Sequence, residues 1–381
     1  NGNLPESERE ILRDKIPLEL RKDKEIGFDT NDIADAIVSS DGEDDVGRIR
    51  NGLDGILMAY SLTILTDQGR LFGLRGPSGT WPLWVGETDT EILFSSETRV
   101  EKVFESKEVK WREVKPGELV EATNAGVVSR QLFEPVRESI CMLHAVYGAR
   151  GDSLMTEDAT YFDFRKRIGE ILAEEHPIEA DVYAGIPTTG RHIAVGYAET
   201  LGKPLTDVIV IRDDTRSYIA RSPEEAARIV NGKFEIPDPG LIEGKSIVAI
   251  EDSLINGTTS GGNPKKKLLG IVGMLRLAGA REVHIITGLP KFTEDCDMGY
   301  VIRKDTLAAV MKQGDGSYLE LTEEKIAQKI GADSFRVISM EGMHRGVEEI
   351  TGKKDIACTR CIGGAHPLSR YREPILLELV Q

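Results

Sequence analysis

The run Ile247-Val-Ala-Ile-Glu-Asp-Ser-Leu-Ile-Asn-Gly-Thr-Thr-Ser260 holds the residues of this chain best spaced to do chemistry. An apolar strand delivers two adjacent acids, Glu251 and Asp252. Ser253 to Asn256 then lead into a Gly-Thr-Thr-Ser turn. In an open α/β sheet, ligands sit at the carboxyl ends of strands. Gly257 lets backbone N–H groups turn inward, and Thr258, Thr259 and Ser260 add hydroxyl donors. A following helix presents its positive end, and together these make a phosphate cradle. The acids lie one strand end away, placed to accept hydrogen bonds from ribose hydroxyls or to hold Mg2+ through water. The Gly-Lys-Thr of a Walker loop is absent. An ordinary strand–turn–helix would require neither the acid pair nor three successive hydroxyls.

The cysteines form the second chemical group. Cys358 and Cys361 make a Cys-x-x-Cys, with Cys141 and Cys296 far upstream. Four thiols satisfy a tetrahedral Zn2+ or a [4Fe–4S] cluster. They could equally be four unrelated thiols, and spacing alone does not choose among these. Four cysteines in 381 residues do not make a disulfide scaffold, so a cytoplasmic protein is expected. The net charge, 48 − 64 = −16, argues against binding nucleic acid or an anionic membrane. No apolar run approaches the roughly 20 residues of a membrane span. The chain opens Asn-Gly-Asn-Leu without Met, which reads as a fragment or processed product.

The pattern along the chain says what must position these groups. Residues 4–50 read as polar helices, over Glu8–Leu20 and Asn31–Ser39, followed by an acidic loop at 40–45 read as a solvated turn. From 57 to 133, short strands separated by Gly, Pro and Asn predict an antiparallel α+β unit, over 57–66, 70–75, 83–85, 91–95, 108–114, 118–122 and 127–133. From 158 the texture becomes alternating: helices over 160–175, 191–201 and 264–278, strands over 180–186, 207–211, 246–250 and 282–287. That alternation predicts a parallel, doubly wound sheet. Helices are expected at 323–330 and 342–350, and an irregular tail over 351–381. His144, Trp81, Trp84 and His284 read as packed residues and His176 as a surface residue. His192 is a weak site candidate.

The loop at 251–260 resembles the 5-phosphoribosyl-1-pyrophosphate (PRPP) loop of type I phosphoribosyltransferases. Its flanks narrow the match. DVYAGIPTTGRHIAVGYA (181–198), LFEPVRESICMLHAVYGARGDS (132–153) and YSLTILTDQGRLFGLRGPSGTWPLWVG (60–86) are similar to stretches of glutamine amidophosphoribosyltransferases, in that family's order. The resemblance implies a partial N-terminal-nucleophile glutaminase sandwich over 1–133, a linker over 134–157, a phosphoribosyltransferase domain over 158–330 and a tail over 331–381. It implies formation of 5-phosphoribosylamine from PRPP and glutamine-derived ammonia in de novo purine synthesis. It also implies Mg2+, purine-nucleotide effectors and a homo-oligomer. By the same resemblance Asn1 and Gly2 match the oxyanion-hole Asn and Gly, and Asp29 the acid that grips the glutamine ammonium. Thr188, Thr189, Gly190 and Arg191 lie at the pyrophosphate loop. One branch of the family holds a structural [4Fe–4S] cluster whose cysteine contexts look like those of Cys141, Cys296, Cys358 and Cys361.

The departures are specific. No Cys precedes Cys141, so the sequence as given is expected not to hydrolyse glutamine. Asp213 and Asp214 stand where the family's catalytic loop is basic, and two carboxylates would oppose a polyanion. Asn256 replaces Arg, Glu251 replaces Asp, and Trp81 replaces Arg. Lys265, Lys266 and Lys267 read either as replacement positive charge or as a solvated helix start. Two other readings stand beside the enzyme: a non-catalytic PRPP or nucleotide sensor, and a phosphoribosyltransferase for another acceptor.

Overall fold

The computed structural model describes residues 4, 6–17, 29–57, 59–99, 108–212, 233–262 and 269–368. Helices α1 (Glu6–Asp14), α2 (Asp29–Ser39) and α3 (Asp45–Leu53) precede strands β1 (Ser61–Leu65), β2 (Leu71–Arg75), β3 (Trp84–Glu87), β4 (Ile92–Ser95), β5 (Lys110–Glu113), β6 (Glu118–Thr123) and β7 (Gly126–Gln131). The seven strands fall where alternation and turn residues place them. They form two antiparallel sheets, in the orders β1-β2-β6-β7 and β4-β3-β5. The acidic loop is more than a solvated turn. Asp44 accepts from the Gly47 backbone N–H at 2.8 Å and caps α3, a helix the apolar pattern did not announce.

A short strand β8 (Ile140–Cys141) leads through a π-helical turn, His144–Gly148, to α4 (Tyr161–Glu175). Thr160 and Asp163 form a reciprocal capping box that fixes where α4 begins. Then come β9 (Val182–Gly185), α5 (Thr189–Thr200), β10 (Val210–Ile211), β11 (Phe234–Glu235), β12 (Ser246–Glu251), α6 (Thr258–Gly261), α7 (Ile271–Leu277) and β13 (Glu282–Thr287). A hairpin of β14 (Val310–Lys312) and β15 (Tyr318–Glu320) precedes α8 (Glu323–Ile330), β16 (Ser334–Val337), α9 (Met340–Thr351) and β17 (Ala357–Cys358).

Strands β16, β13, β12 and β9 pair in parallel in that order. The expected transferase unit ended at 330, whereas its sheet draws a strand from 334–337. The strand expected at 207–211 shortens to two residues, because β10 pairs antiparallel with β11 outside the parallel sheet. Along β12 the side chains alternate between two buried layers. Val248 and Ile250 join the cluster with α4, α5 and α9; Ile247 and Ala249 join the one with α7 and α8. Both faces are covered, so the strand reads as a continuous apolar run. Helices α4 and α5 approach backbone to backbone. A Cβ on Gly169 would lie 1.9 Å from the Ile193 carbonyl oxygen, and one on Gly196 equally close to that of Lys166.

Candidate active site and thiol cluster

Glu251 closes β12, and its carboxylate accepts a hydrogen bond from the Ser260 hydroxyl, which folds the loop back onto the strand end. Asp252 accepts from Ser253 Oγ at 2.8 Å on one oxygen and from Thr189 Oγ1 on the other. Thr189 belongs to the neighbouring strand–helix connection, so one hydroxyl joins the two predicted loops across adjacent parallel strands. Gly257 has φ +74°, a left-handed conformation that favours glycine. The Asn256 side chain accepts from the Thr258 N–H at 3.3 Å. A four-residue helix, α6, follows the turn directly; of the helix expected over 264–278, residues 271–277 form α7 and 264–268 lie outside the described residues.

The electrostatics follow from burial. Glu251 is 5% exposed, and its carboxyl is pushed up to about 8, first by burial and then by the charge of Asp252. Burial raises Asp252 as well, against the hydroxyls of Thr189 and Ser253 and the more distant positive charges of Arg165 and Lys233.

Around 186–191, Thr188 is exposed and Thr189 half-buried. Gly190 serves close packing: a Cβ there would meet the Ile250 carbonyl oxygen at 2.5 Å and Glu251 Cα at 3.1 Å. Arg191 turns aside and pairs with Asp207 at 2.8 Å, half-exposed. Asn1 and Gly2 lie outside the described residues, as do Asp213, Asp214 and Lys265–Lys267. Asp29 accepts the Leu4 backbone N–H at 3.0 Å.

The sequence reading passed over two cations. Arg165, fully buried, donates to the carbonyls of Ala145 (3.0 Å) and Ala149 (2.6 Å) and faces His192 Nδ1 at 3.3 Å. Lys233, beside β11, acts on both Glu251 and Asp252. Helical position could have flagged Arg165, because it falls on the apolar face of α4 between Phe164 and Ile168. One smaller expectation needs correction. His176 is tied in by its ring Nε2, 3.0 Å from the Val337 carbonyl. Trp81 packs in the first unit, yet its indole N–H reaches the Met298 carbonyl at 3.1 Å. His284 is structural, 2.8 Å from Ser334 Oγ.

The four cysteines are free and gather from three segments. Cys358 and Cys141 are register partners of β17 and β8. Cys361 hydrogen-bonds to Cys296 and also senses Cys141 and Cys358. Burial, with smaller contributions from neighbouring thiols, pushes Cys141 up and Cys358 up to about 12, whereas Cys361 is raised first by its hydrogen bond with Cys296 and then by burial. Cys296, stabilised first by the Cys361 thiol, falls to about 7. Among the described residues no three His, Cys, Asp or Glu side chains are grouped to hold a single metal ion.

Sheet and loops together define a phosphoribosyltransferase unit joined to a glutaminase-type sandwich. Over 350 residues the chain is 34% identical to the amidophosphoribosyltransferase of Methanocaldococcus jannaschii, spanning 87% of this chain and 69% of that protein. Over 398 residues it is 32% identical to the Synechococcus elongatus enzyme of that name, spanning 100% and 74%. The glutamine PRPP amidotransferase of B. subtilis, solved with ADP and GMP, superposes with a TM-score of 0.79 at 29% identity, covering 96% of this chain and 76% of that one. No family model matches the chain. The chain belongs to the amidophosphoribosyltransferase family.

Proposed function

We propose that this chain transfers the phosphoribosyl group of PRPP to ammonia. The observation that carries the reading is the hydrogen bond from Thr189 to Asp252, which brings both predicted loops to one end of the parallel sheet. The turn Gly257–Ser260 holds the 5-phosphate with backbone N–H groups and the hydroxyls of Thr258 and Thr259, the Ser260 hydroxyl being taken by Glu251. Glu251 and Asp252 accept the ribose 2- and 3-hydroxyls, and Asp252 stabilises positive charge developing at the anomeric carbon. The lone pair of ammonia forms the C1–N bond as the C1–O bond to pyrophosphate breaks; the amine then loses a proton to solvent. Thr188 donates to the leaving pyrophosphate, while the Thr189 hydroxyl stays on Asp252. Lys233 supplies positive charge where Arg191 is engaged with Asp207. The exposed Thr188 hydroxyl and the Asp252 carboxylate suit a hard cation, and Mg2+ bound with pyrophosphate would neutralise its charge.

The thiols support a structural [4Fe–4S] cluster. Three buried thiols and the half-buried Cys296, drawn from the linker, the transferase unit and the tail, stand where loss of their protons to a bound cluster would supply four thiolate ligands. Held by Cys141, Cys296, Cys358 and Cys361, the cluster would tie those segments together. Purine nucleotides as effectors are supported by the ADP and GMP in the B. subtilis structure. A cytoplasmic homo-oligomer completes the proposal; unpaired cysteines suit a reducing compartment. Among the described residues no helix is long and apolar enough to cross a membrane.

Ammonia-dependent release of pyrophosphate from PRPP, lost in Asp252→Asn, tests the transfer. PRPP binding without release would leave a sensor, and no binding would overturn the site.

A further inference from the structure

We propose that His192 and Arg165 form a positioning pair that holds the 186–191 loop in register for pyrophosphate. The inference rests on reading that loop as the pyrophosphate site. Arg165 lies four residues before Gly169 and His192 four residues before Gly196. The two glycines let α4 and α5 touch backbone to backbone, and that crossing brings guanidinium and imidazole together. Arginine only donates, so His192 Nδ1 accepts and the ring is neutral. Burial and the charges of Arg165 and Arg191 depress its basicity to about 4, in keeping with that tautomer.

The pair is clamped from outside. Phe162 meets the His192 ring edge-on at 5.1 Å, and a Cβ on Gly151 would fall 2.5 Å from His192 Cε1. The remaining arms of Arg165 hold the Ala145 and Ala149 carbonyls of the segment that follows Cys141. The 150–154 turn is in turn held by the first unit. Glu97 accepts the Arg150 N–H at 3.0 Å, and Thr98 accepts that of Leu154 at 2.9 Å. Arg165 therefore joins the linker to the first turn of the helix whose Thr189 grips Asp252. It touches no described part of the phosphate turn at 257–260.

The test is isothermal titration of the full chain with Mg2+-pyrophosphate and, separately, with ribose 5-phosphate. His192→Ala is expected to weaken pyrophosphate about tenfold, the worth of a hydrogen bond to a charged group, and to leave ribose 5-phosphate unchanged. His192→Asn restores affinity, because its side-chain oxygen accepts from Arg165. Arg165→Lys behaves like His192→Ala, since one ammonium cannot reach three acceptors. Wild-type pyrophosphate affinity in His192→Ala, equal weakening of both ligands, or failure of His192→Asn to rescue overturns the pairing. If the unaltered chain binds ribose 5-phosphate but not pyrophosphate, this inference falls while the phosphate turn stands. If it binds neither, the proposed function falls first.

Discussion

Replacing Glu251 by Gln should make the protein more stable in alkali, and the size of the effect follows from where the side chain sits. The carboxyl is 5% exposed at the end of β12, next to Asp252, and among the described residues its hydrogen-bond partner is the Ser260 hydroxyl. Its pKa rises from 4.5 in the open chain to about 8 in the fold, chiefly through burial. A raised pKa in the folded state contributes stability that is fully present below about pH 4.5 and is lost as pH climbs through about 8. At about 1.4 kcal/mol per pH unit, the whole interval is worth at most about 5 kcal/mol. Glutamine keeps an acceptor for Ser260 and never ionises. Urea unfolding of both proteins without ligand, at about pH 5 and about pH 9, reads the difference. Glu251→Gln should gain several kcal/mol on the parent between those limits, by a widening gap in midpoint. Parallel curves, with the same difference at both limits, would show that Glu251 is charged in the fold and would refute the burial argument.

Gly190→Ala places a Cβ against the Ile250 carbonyl and should destabilise by about 2–4 kcal/mol, with loss of PRPP binding in the folded fraction; unchanged stability would mean α5 can slide off β12. Cys358→Ser should strip an anaerobically purified protein of iron, which the parent carries at about four atoms per chain if a cubane is present. One zinc and no iron would replace the cluster by a single ion. Thr160→Ala removes half of the α4 capping box and should cost about 1 kcal/mol by urea midpoint, while PRPP affinity stays at the parent value.

The fold was most legible where one period ruled a segment. The seven antiparallel strands alternate and are cut by Gly, Asn and Pro, and each is present within a few residues of its expected place. β12 and β13 were visible for the opposite reason, as short apolar runs buried on both faces. Helix α3 was hidden because its cue is one capping aspartate inside an acidic stretch that reads equally well as a solvated turn. Strand β16 was hidden too. Ser334-Phe-Arg-Val337 carries a serine and an arginine because it is an edge strand, so it lacks the apolar run of its neighbours. Residues 207–211 failed the other way: an apolar run, yet paired outside the sheet.

The site divides along the same line. Residues that act where they stand in sequence, such as Glu251, Asp252 and the turn to Ser260, could be read directly, since one strand and one turn present them. Residues that act across the fold could not. Thr189 and Asp252 are 63 positions apart and meet only because β9 and β12 are neighbours. Arg165 was invisible because a charged residue on the buried face of a helix contradicts the pattern that finds the helix. That contradiction is itself informative. Burying a guanidinium is tolerated only where its donors are met, and here they are met by two linker carbonyls and a ring nitrogen that no local rule would bring together. A cation breaking an apolar stripe therefore marks a place where the tertiary structure needs a fixed point. In this chain that point lies between the cysteine-bearing linker and the loop expected to receive pyrophosphate.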